Sequence, residues 1–502
     1  MLITILVYLA AMVGIGAVLA KQNQTTDDFY LGGRRLGPLV TAMSAEASDM
    51  SSWLLMGLPG VAYLSGTADA AWTAIGLAIG TYVNWLVVAK RLRNYTHVCG
   101  NSTTLPLFFS NRYRDNKRIL SVIAALLIII FFVPYTASGF AACGKLFANL
   151  FGMDYLPAML ISAIVIVAYT TLGGFLAAST TDFVQSIVMT IAIVVVFGFG
   201  ISKVGSFSAV MDNAKSMAGY FSLTHTHDVA TGTASPYSLL QIFSTLAWGL
   251  GYFGMPHVLL RFMAIGDANK LKLSRRVATV WVVISMAVSV FIGVIGNAMT
   301  KAGVLPTLKD PETIILVVAD LISKHGVLAT IIAGLILAGI LAATMSTADS
   351  QLLAASSSAS QNILKEVFMK DMSEKTGMLI ARITVLVIAL IGVFIARNPD
   401  SSVFQIVSFA WAGFGASFGP LVLLALFWKR STFQGALCGM VSGGVMVFVW
   451  KFLIRPMGGA LGIYELLPAF LLGLAVNVIV SLLTPAPSRE VQDEFDKVAS
   501  MK

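Results

Sequence analysis

Apolar runs of about 20 residues recur along the whole chain, and that is the length that crosses a hydrocarbon core. Backbone N–H and C=O groups find no water there, so a spanning segment must satisfy them internally. The runs are continuous and do not alternate apolar with polar residues, which predicts helices rather than barrel strands. Thirteen segments are read, starting near Leu2, Leu39, Ala70, Leu120, Leu156, Phe183, Leu239, Ala278, Val327, Leu379, Val403, Phe433 and Ile463. Only 11% of residues are charged, against roughly 25% in soluble domains. The expected fold class is an all-α polytopic membrane protein of about 13 transmembrane helices, with the lipid bilayer as its main partner.

A net charge of +9 invites a nucleic-acid reading. Position argues against it, because the basic residues sit in short loops between apolar runs. With the N-terminus outside, the cytoplasmic loops collect 24 of the 33 lysines and arginines. Three precede the second segment, seven lie between Lys90 and Arg118, and five between Arg261 and Arg276. Four more lie between Lys365 and Arg382, two at Lys429 and Arg430, and three in the tail. That bias satisfies the positive-inside rule and places the C-terminus in the cytoplasm. The run Met1–Ala20 has its first positive charge after it, at Lys21. A signal peptide has the opposite order, so this is read as a retained first span of a bacterial inner-membrane protein.

Cys99, Cys143 and Cys438 are scattered and odd in number, so no disulfide framework is expected. No P-loop signature occurs, which argues against an ATP-driven pump on this chain. The longest outer loop runs from Val204 to Pro236, and no segment reads as a separate soluble module. No obligatory protein partner is evident.

Two segments carry residues that an uninterrupted span avoids. The second reads Ser44-Ala45-Glu46-Ala47-Ser48-Asp49-Met50-Ser51-Ser52-Trp53, then Gly57-Leu58-Pro59-Gly60. A carboxylate at the bilayer centre costs about 2.5–3.5 kcal/mol on insertion scales. Here two lie one turn apart among serines. A water-exposed Asp49 near a helix end accounts for one of them and leaves Glu46 and the serines unexplained. The seventh reads Trp248-Gly249-Leu250-Gly251-Tyr252-Phe253-Gly254-Met255-Pro256-His257. Glycine adds backbone entropy and proline removes a donor, so this helix is weak. The same small residues also serve close helix packing.

The two weak segments lie five apart. Spans two to six and seven to eleven then form two five-helix halves, the second entering the membrane from the opposite side. An inverted repeat with a broken first helix in each half is the architecture of many secondary transporters. The expected division is a first span and loop (1–37), a first repeat (38–203), an extracellular loop (204–236) and a second repeat (237–428). Two peripheral spans and a tail complete it (429–502).

A broken helix frees carbonyls, hard ligands suited to a small hard cation. Those near Ala47 and Met50 are candidates. The ninth segment offers Ser346 and Thr347, adjacent hydroxyls about 100° apart on a helix. Asp349 shares the face of Ser346, where it would hold a second cation, carry a proton or tie down a helix. Ser and Thr hydroxyls that bond back to the preceding turn are the plain alternative. Asp182, just before the sixth segment, reads either as a helix N-cap or as a functional acid. His225, His227 and Asp228 read as a solvated loop rather than a metal site, and His257 as structural.

Several stretches together resemble the sodium:solute symporter family, and within it the members that carry proline. They are FYLGGRRLGP (Phe29–Pro38), SAEASDMSSWLLMGLPG around Asp49, GGFLAAS (Gly173–Ser179), WGLGYFGMPH (Trp248–His257), MSTADSQLL (Met345–Leu353) and AWAGFGA (Ala410–Ala416). The resemblance implies a leucine-transporter-type 5+5 inverted-repeat core with discontinuous helices and extra helices at both ends. It implies Na⁺ as the coupling ion, held by the carbonyls of Ala47, Met50 and Ala343 and the hydroxyls of Ser346 and Thr347. It implies ion-coupling roles for Asp49, Asp182 and Arg34, beside which Asp349 is placed. It implies a solute pocket bordered by Ser51, Ser52, Trp53, Tyr135, Trp248, Tyr252, Met255 and Pro256. Ser52 stands where such members have glycine, Met255 where they have glutamine, and Glu46 where they have a small residue.

The expected function is Na⁺-coupled import of L-proline by alternating access. Another small solute (a different amino acid, betaine, pantothenate or a monocarboxylate), or proton coupling, stays open. An enzyme would need a nucleophile–base pair or metal ligands at suitable spacing, and none is read. A cation channel would need repeated filter residues, whereas the two breaks are unlike.

Overall fold

The apolar runs fold as helices, since no other open structure satisfies its own backbone in lipid. The computed structural model describes residues 1–369, 372–398 and 402–501. Among the described residues ten helices are long and apolar enough to cross a membrane.

The chain opens with α1 (Leu2–Leu19) and the short α2 (Thr26–Leu31), which Thr25 and Asp28 close in a reciprocal cap. Next, α3 (Pro38–Ser52) and α4 (Leu58–Ser65) flank a wide π-type turn over Trp53–Gly57. A second π-type turn, Asn84–Val88, joins α5 (Thr67–Val83) to α6 (Ala89–Val98). After α7 (Leu105–Arg112) come α8 (Ile119–Phe151) and α9 (Tyr155–Val204).

At 50 residues, α9 would be about 75 Å long if straight, more than twice the hydrocarbon thickness. It turns at Gly174 (φ 60°, ψ −161°). A Cβ there would lie 2.8 Å from the Phe29 ring, so only glycine fits. The fifth and sixth expected segments lie on either side of this residue. The second and seventh are interrupted pieces too short to be among the ten long helices.

The region 204–236 is more than a loop, with a small hairpin set on the helical fold. It holds α10 (Phe207–Ser216) and an antiparallel hairpin, β1 (His225–His227) with β2 (Ala234–Pro236). Between them Tyr220 is fully buried, its hydroxyl on the carbonyls of Ala62 (2.7 Å) and Tyr63 (3.0 Å). This region thus caps the C-terminal end of α4.

The second interrupted element is α11 (Leu239–Leu246), a 3₁₀ stretch over Ala247–Phe253, and α12 (Pro256–Ala264), with Pro256 in its first turn. Then follow α13 (Leu271–Lys301), α14 (Ile314–Ser323), α15 (Val327–Ser357), α16 (Glu374–Ile395), α17 (Val403–Phe427), α18 (Phe433–Val449), α19 (Leu466–Leu483) and the amphipathic tail helix α20 (Arg489–Ser500).

Helix α15 packs on α9, α8 and α3, and α13 closes the same core against α4 and α9. In its most apolar stretch α17 is 83% buried where α16 is 28% buried, so α17 is central and α16 faces lipid. The entry to α3 and the exit from α12 meet in a parallel bridge between Leu36 and Ile265. On the same side α20 lies on α6, with Arg91 and Arg112 over the Phe495 ring and Arg114 paired to Glu494 at 2.8 Å.

Glycines let α5 reach the second break. A Cβ on Gly249 would enter the backbone of Gly76 and Gly80. Gly249→Leu is therefore expected to cost about 1–3 kcal/mol or more by overpacking. This should appear as a lower thermal midpoint of the solubilised protein, and an unchanged midpoint would contradict the close approach.

Candidate functional site

The first break is set by Ser51, which takes φ 50° and ψ −172° inside α3. A non-glycine residue there costs on the order of 1–3 kcal/mol and persists only where its surroundings fix it. The Ser51 hydroxyl does part of this by accepting from the Trp53 N–H at 3.1 Å. The turn therefore falls two residues after Asp49. Carbonyls just before it lose their partners four residues on. Trp53 N–H takes up Met50 O, and the Tyr135 hydroxyl lies 3.4 Å from Asp49 O.

Ser346 on α15 reaches across to this segment. Its hydroxyl lies 2.9 Å from Ala47 O and 3.2 Å from Ala343 O, and Thr347 Oγ1 is 3.1 Å from Ala343 O. Four of the five predicted ligands thus share one buried point between α3 and α15. Met50 O faces the Trp53 amide instead. The Ser346 and Thr347 hydroxyls bring two protons to four oxygens, so the cradle holds more acceptor than donor. It is built of neutral hard oxygens, which suits Na⁺. Among the described residues no three His, Cys, Asp or Glu come together as a site for another metal.

Beside the break lies a small cavity lined by Asp49, Met50, Trp53, Leu77, Tyr135, Trp248, Val407 and Trp411. Its wall is aromatic: Trp53 and Trp248 lie 5.6 Å apart, Trp248 and Tyr464 stack at 5.0 Å, and Phe404 covers both tryptophans. Tyr252 donates to Asp49 Oδ2 at 2.5 Å, and Trp411 Nε1 donates to Trp248 O at 2.8 Å. Trp53 Nε1 and Asp49 Oδ1 are buried without a partner. Trp53, Tyr135 and Trp248 border this cavity, and Tyr252 reaches it through its hydrogen bond to Asp49.

Ser51, Ser52, Met255 and Pro256 do not line this cavity. Ser51 forms the turn, while Met255 and Pro256 start α12. Sequence reasoning missed Val407 and Trp411, although AWAGFGA flags their helix, and it missed Leu77, Phe404 and Tyr464, which carry no local signal.

It also missed a buried ionic network, and of the two readings of Asp182 the N-cap does not hold. That residue is no N-cap. It sits inside α9, fully buried, with Oδ2 at 3.1 Å from Arg261 and 2.6 Å from Ser44 Oγ. Arg261, assigned above to a cytoplasmic loop, is 1% exposed within α12. It also reaches Ser44, Ser350 and His257 O, and lies over the Phe175 ring. Asp349 accepts from Tyr169 (2.7 Å) and Ser350 (3.0 Å), which ties α15 to α9. Arginine alone gave no reason to expect burial; its fork of donors is what several facing oxygens require.

Arg34, at φ 55°, staples the chain ends of the breaks. It donates to Met263 O (2.6 Å), Ser102 O (2.7 Å) and Asn101 Oδ1 (3.1 Å). In the 225–236 hairpin, Asp228 accepts from the amides of Ala230 and Thr231, which hold its carboxyl below the usual range. His227 Nδ1 lies 2.8 Å from Ala218 O, so these residues make a turn. The three cysteines are free.

Two discontinuous helices, the first meeting a helix of hydroxyls at a cradle of oxygens, define a secondary transporter of the leucine-transporter fold. Residues 29–443 match the sodium:solute symporter family, and the chain belongs to it. Na⁺ is its coupling ion, and it is not an enzyme.

The chain is 41% identical to the sodium/proline symporter of Haemophilus influenzae, covering 99% of this chain and 97% of that one. It is 41% identical to that of Escherichia coli (99% and 95%) and 40% identical to the osmoregulated proline transporter OpuE of Bacillus subtilis (97% and 96%). In structure it is similar to a Na⁺-coupled sialic acid symporter in a substrate-bound outward-open state. The TM-score is 0.79 at 19% identity, over 97% of this chain and 98% of the other. Mhp1, a nucleobase-cation-symport-1 transporter in a closed conformation, matches at 0.53 and 14% identity, over 94% and 98%.

Arg261→Met leaves Asp182 buried without its cation, an expected loss of about 3–5 kcal/mol. Adding Asp182→Leu should restore most of it. Thermal midpoints of the solubilised variants check this, and equal losses in single and double variants would reject the pairing.

Proposed function

We propose that this protein imports L-proline with Na⁺ by alternating access. The observation that carries the reading is the Ser346 hydroxyl on Ala47 O, which joins α15 to the interrupted α3. Na⁺ bound among Ala47, Ala343, Ser346 and Thr347 takes the place of the hydroxyl–carbonyl hydrogen bonds, the hydroxyls keeping their protons and turning them away, so that one charge holds all four oxygens at once. Met50 completes the set once Trp53 N–H yields its carbonyl. Na⁺ therefore draws α15 and the break together, and the cavity next to Asp49 takes its bound shape.

The solute meets chemistry suited to a cyclic amino acid. Trp53, Trp248 and Trp411 pack an apolar ring. The unpartnered Trp53 Nε1 donates to a carboxylate, and the acceptors freed around Ser51 meet the amine. Ser51, Ser52, Met255 and Pro256 act by shaping the two breaks. Asp182, Asp349 and Arg34 act in coupling by fixing α9, α15 and α12 around α3. The names of the relatives at about 40% identity support proline as the solute.

The halves are 38–203 and 237–428, with peripheral spans outside them. On this reading α20 and the Leu36–Ile265 bridge lie in the cytoplasm and the hairpin outside, in a bacterial inner membrane, which the charge of the basic loops favours. Moving one charge through 100 mV provides roughly 2.3 kcal/mol, a concentration ratio of about fifty. No protein partner is needed for this cycle.

Uptake of radiolabelled proline into vesicles should require an inward Na⁺ gradient, and equal uptake without it would reject the coupling. Asp49→Asn should abolish Na⁺-driven uptake while the protein still inserts. Trp248→Ala should raise the KM for proline about tenfold or more, as a lost aromatic contact of 1.5 kcal/mol implies, with a smaller change in the Na⁺ constant. A reversed order of effects would move Trp248 out of the solute pocket.

A further inference from the structure

Along α13, Arg276 is the last charge before a stretch, 277–300, that carries none. It therefore stands where the helix enters the hydrocarbon. Lys272, four residues earlier, shares its face of the helix, and like charges at that spacing repel. Both side chains are exposed, and among the described residues neither pairs with a carboxylate. Arg275, between them, lies over the Tyr82 ring of α5 instead.

A groove of about 490 Å³ runs from Arg276 along the seam between α9 and α13. Val277, Val280 and Ile284 line one side, Ile193 and Val194 the other. Val280 is 59% exposed, and Ile284 and Val194 are each 54% exposed, so the groove opens toward lipid. From Arg276 to Ile284 the helix rises about 12 Å.

The polar groups inside it are already satisfied. Trp281 Nε1 donates to Thr190 Oγ1 at 2.8 Å, Thr190 donates to Ser186 O at 2.7 Å, and Ser285 donates to Val282 O at 3.2 Å. A hydrophilic solute would gain no hydrogen bond there, and a hydrocarbon chain leaves none unmade. Met43 also lines the groove. It precedes Ala47 by one turn on α3, so an occupant touches the arm that carries the oxygen cradle.

Hydrocarbon alone does not select one lipid over another, because every tail in the bilayer is as apolar as the groove. A headgroup does, since basic residues at the end of a span attract anionic lipids. The phosphate of a lipid whose chain follows this groove comes level with Arg276 and Lys272. The groove between α9 and α16 supplies the contrast: it is larger, about 740 Å³, and its described lining holds no charged residue.

We infer that the α9–α13 groove holds an acyl chain of an anionic phospholipid, whose phosphate is bound by Arg276 and Lys272. The inference requires that the chain span a bilayer, and it requires neither Na⁺ coupling nor proline as the solute.

Photocrosslinking tests it on the purified full chain in phosphatidylcholine nanodiscs doped with phosphatidylglycerol that carries a photoreactive acyl chain. Label is expected on 193–194 and 277–284, and more weakly when phosphatidylcholine carries the same reactive chain. Arg276→Gln should cut the phosphatidylglycerol label about fivefold, the share of one basic residue near a membrane surface. Ile284→Trp, which fills the groove and keeps both cations, should remove label there and leave the α9–α16 groove as it was. Both positions are exposed, so neither change burdens the core. Equal labelling by the two lipids, unchanged labelling in both variants, or the same preference for phosphatidylglycerol at the α9–α16 groove would each overturn the site. A dimer by native mass spectrometry with both lipids shut out of the groove would seat a second copy there and overturn it as well.

Discussion

The structure turns on a hydroxyl meeting a carbonyl where water is excluded. Between α3 and α15, Ser346 touches Ala47 O at 2.9 Å. In a medium that leaves backbone groups no other partner, the contact is available only because the neighbouring backbone departs from helix at Ser51. A continuous α3 would have kept its carbonyls for itself. The strain at Ser51 and the oxygen cradle are thus one feature, and the surrounding helices hold that residue in place.

A single helix of 15 residues serves three neighbours. Ser44 joins it to the Asp182–Arg261 pair, Ala47 to Ser346, and Glu46 and Asp49 to Trp85 and Tyr252. Each contact uses a side chain or carbonyl that a lipid-facing helix would not carry. This is why α3 reads as polar and weak yet is buried at every position from Thr41 to Ser52. The Arg261 network gives it a rigid backing, since a buried pair tolerates little displacement before an unpaired charge appears.

Much of this was legible in the sequence. Glycine and proline marked the second break, and the carboxylates and serines of the second segment marked the first. The Ser-Thr pair pointed to α15. Placement of the turn was not legible, because Ser51 adopts a conformation that local propensity disfavours and tertiary contacts impose. Asp182 looked like a cap because it follows two threonines near an expected helix start. The turn at Gly174 puts that start earlier and leaves Asp182 in the helix interior. Phe404, Tyr464 and Leu77 belong to the cavity region through packing between distant segments, and no spacing rule links them. The hairpin at 225–236 was hidden by its short strands.

The bridge at Leu36 bears on how such a bundle moves. Leu36 N–H bonds Ala264 O at 3.2 Å, and Gly266 N–H bonds Leu36 O at 3.0 Å. Arg34 clamps the same point from the side. The α3 and α12 arms of the two discontinuous helices are thereby pinned at one end like paired blades. Relative sliding has to occur elsewhere, along the seam where α3 and α12 meet α9 and α15. The hydroxyls and carboxylates at that seam are the groups able to exchange partners as it shears.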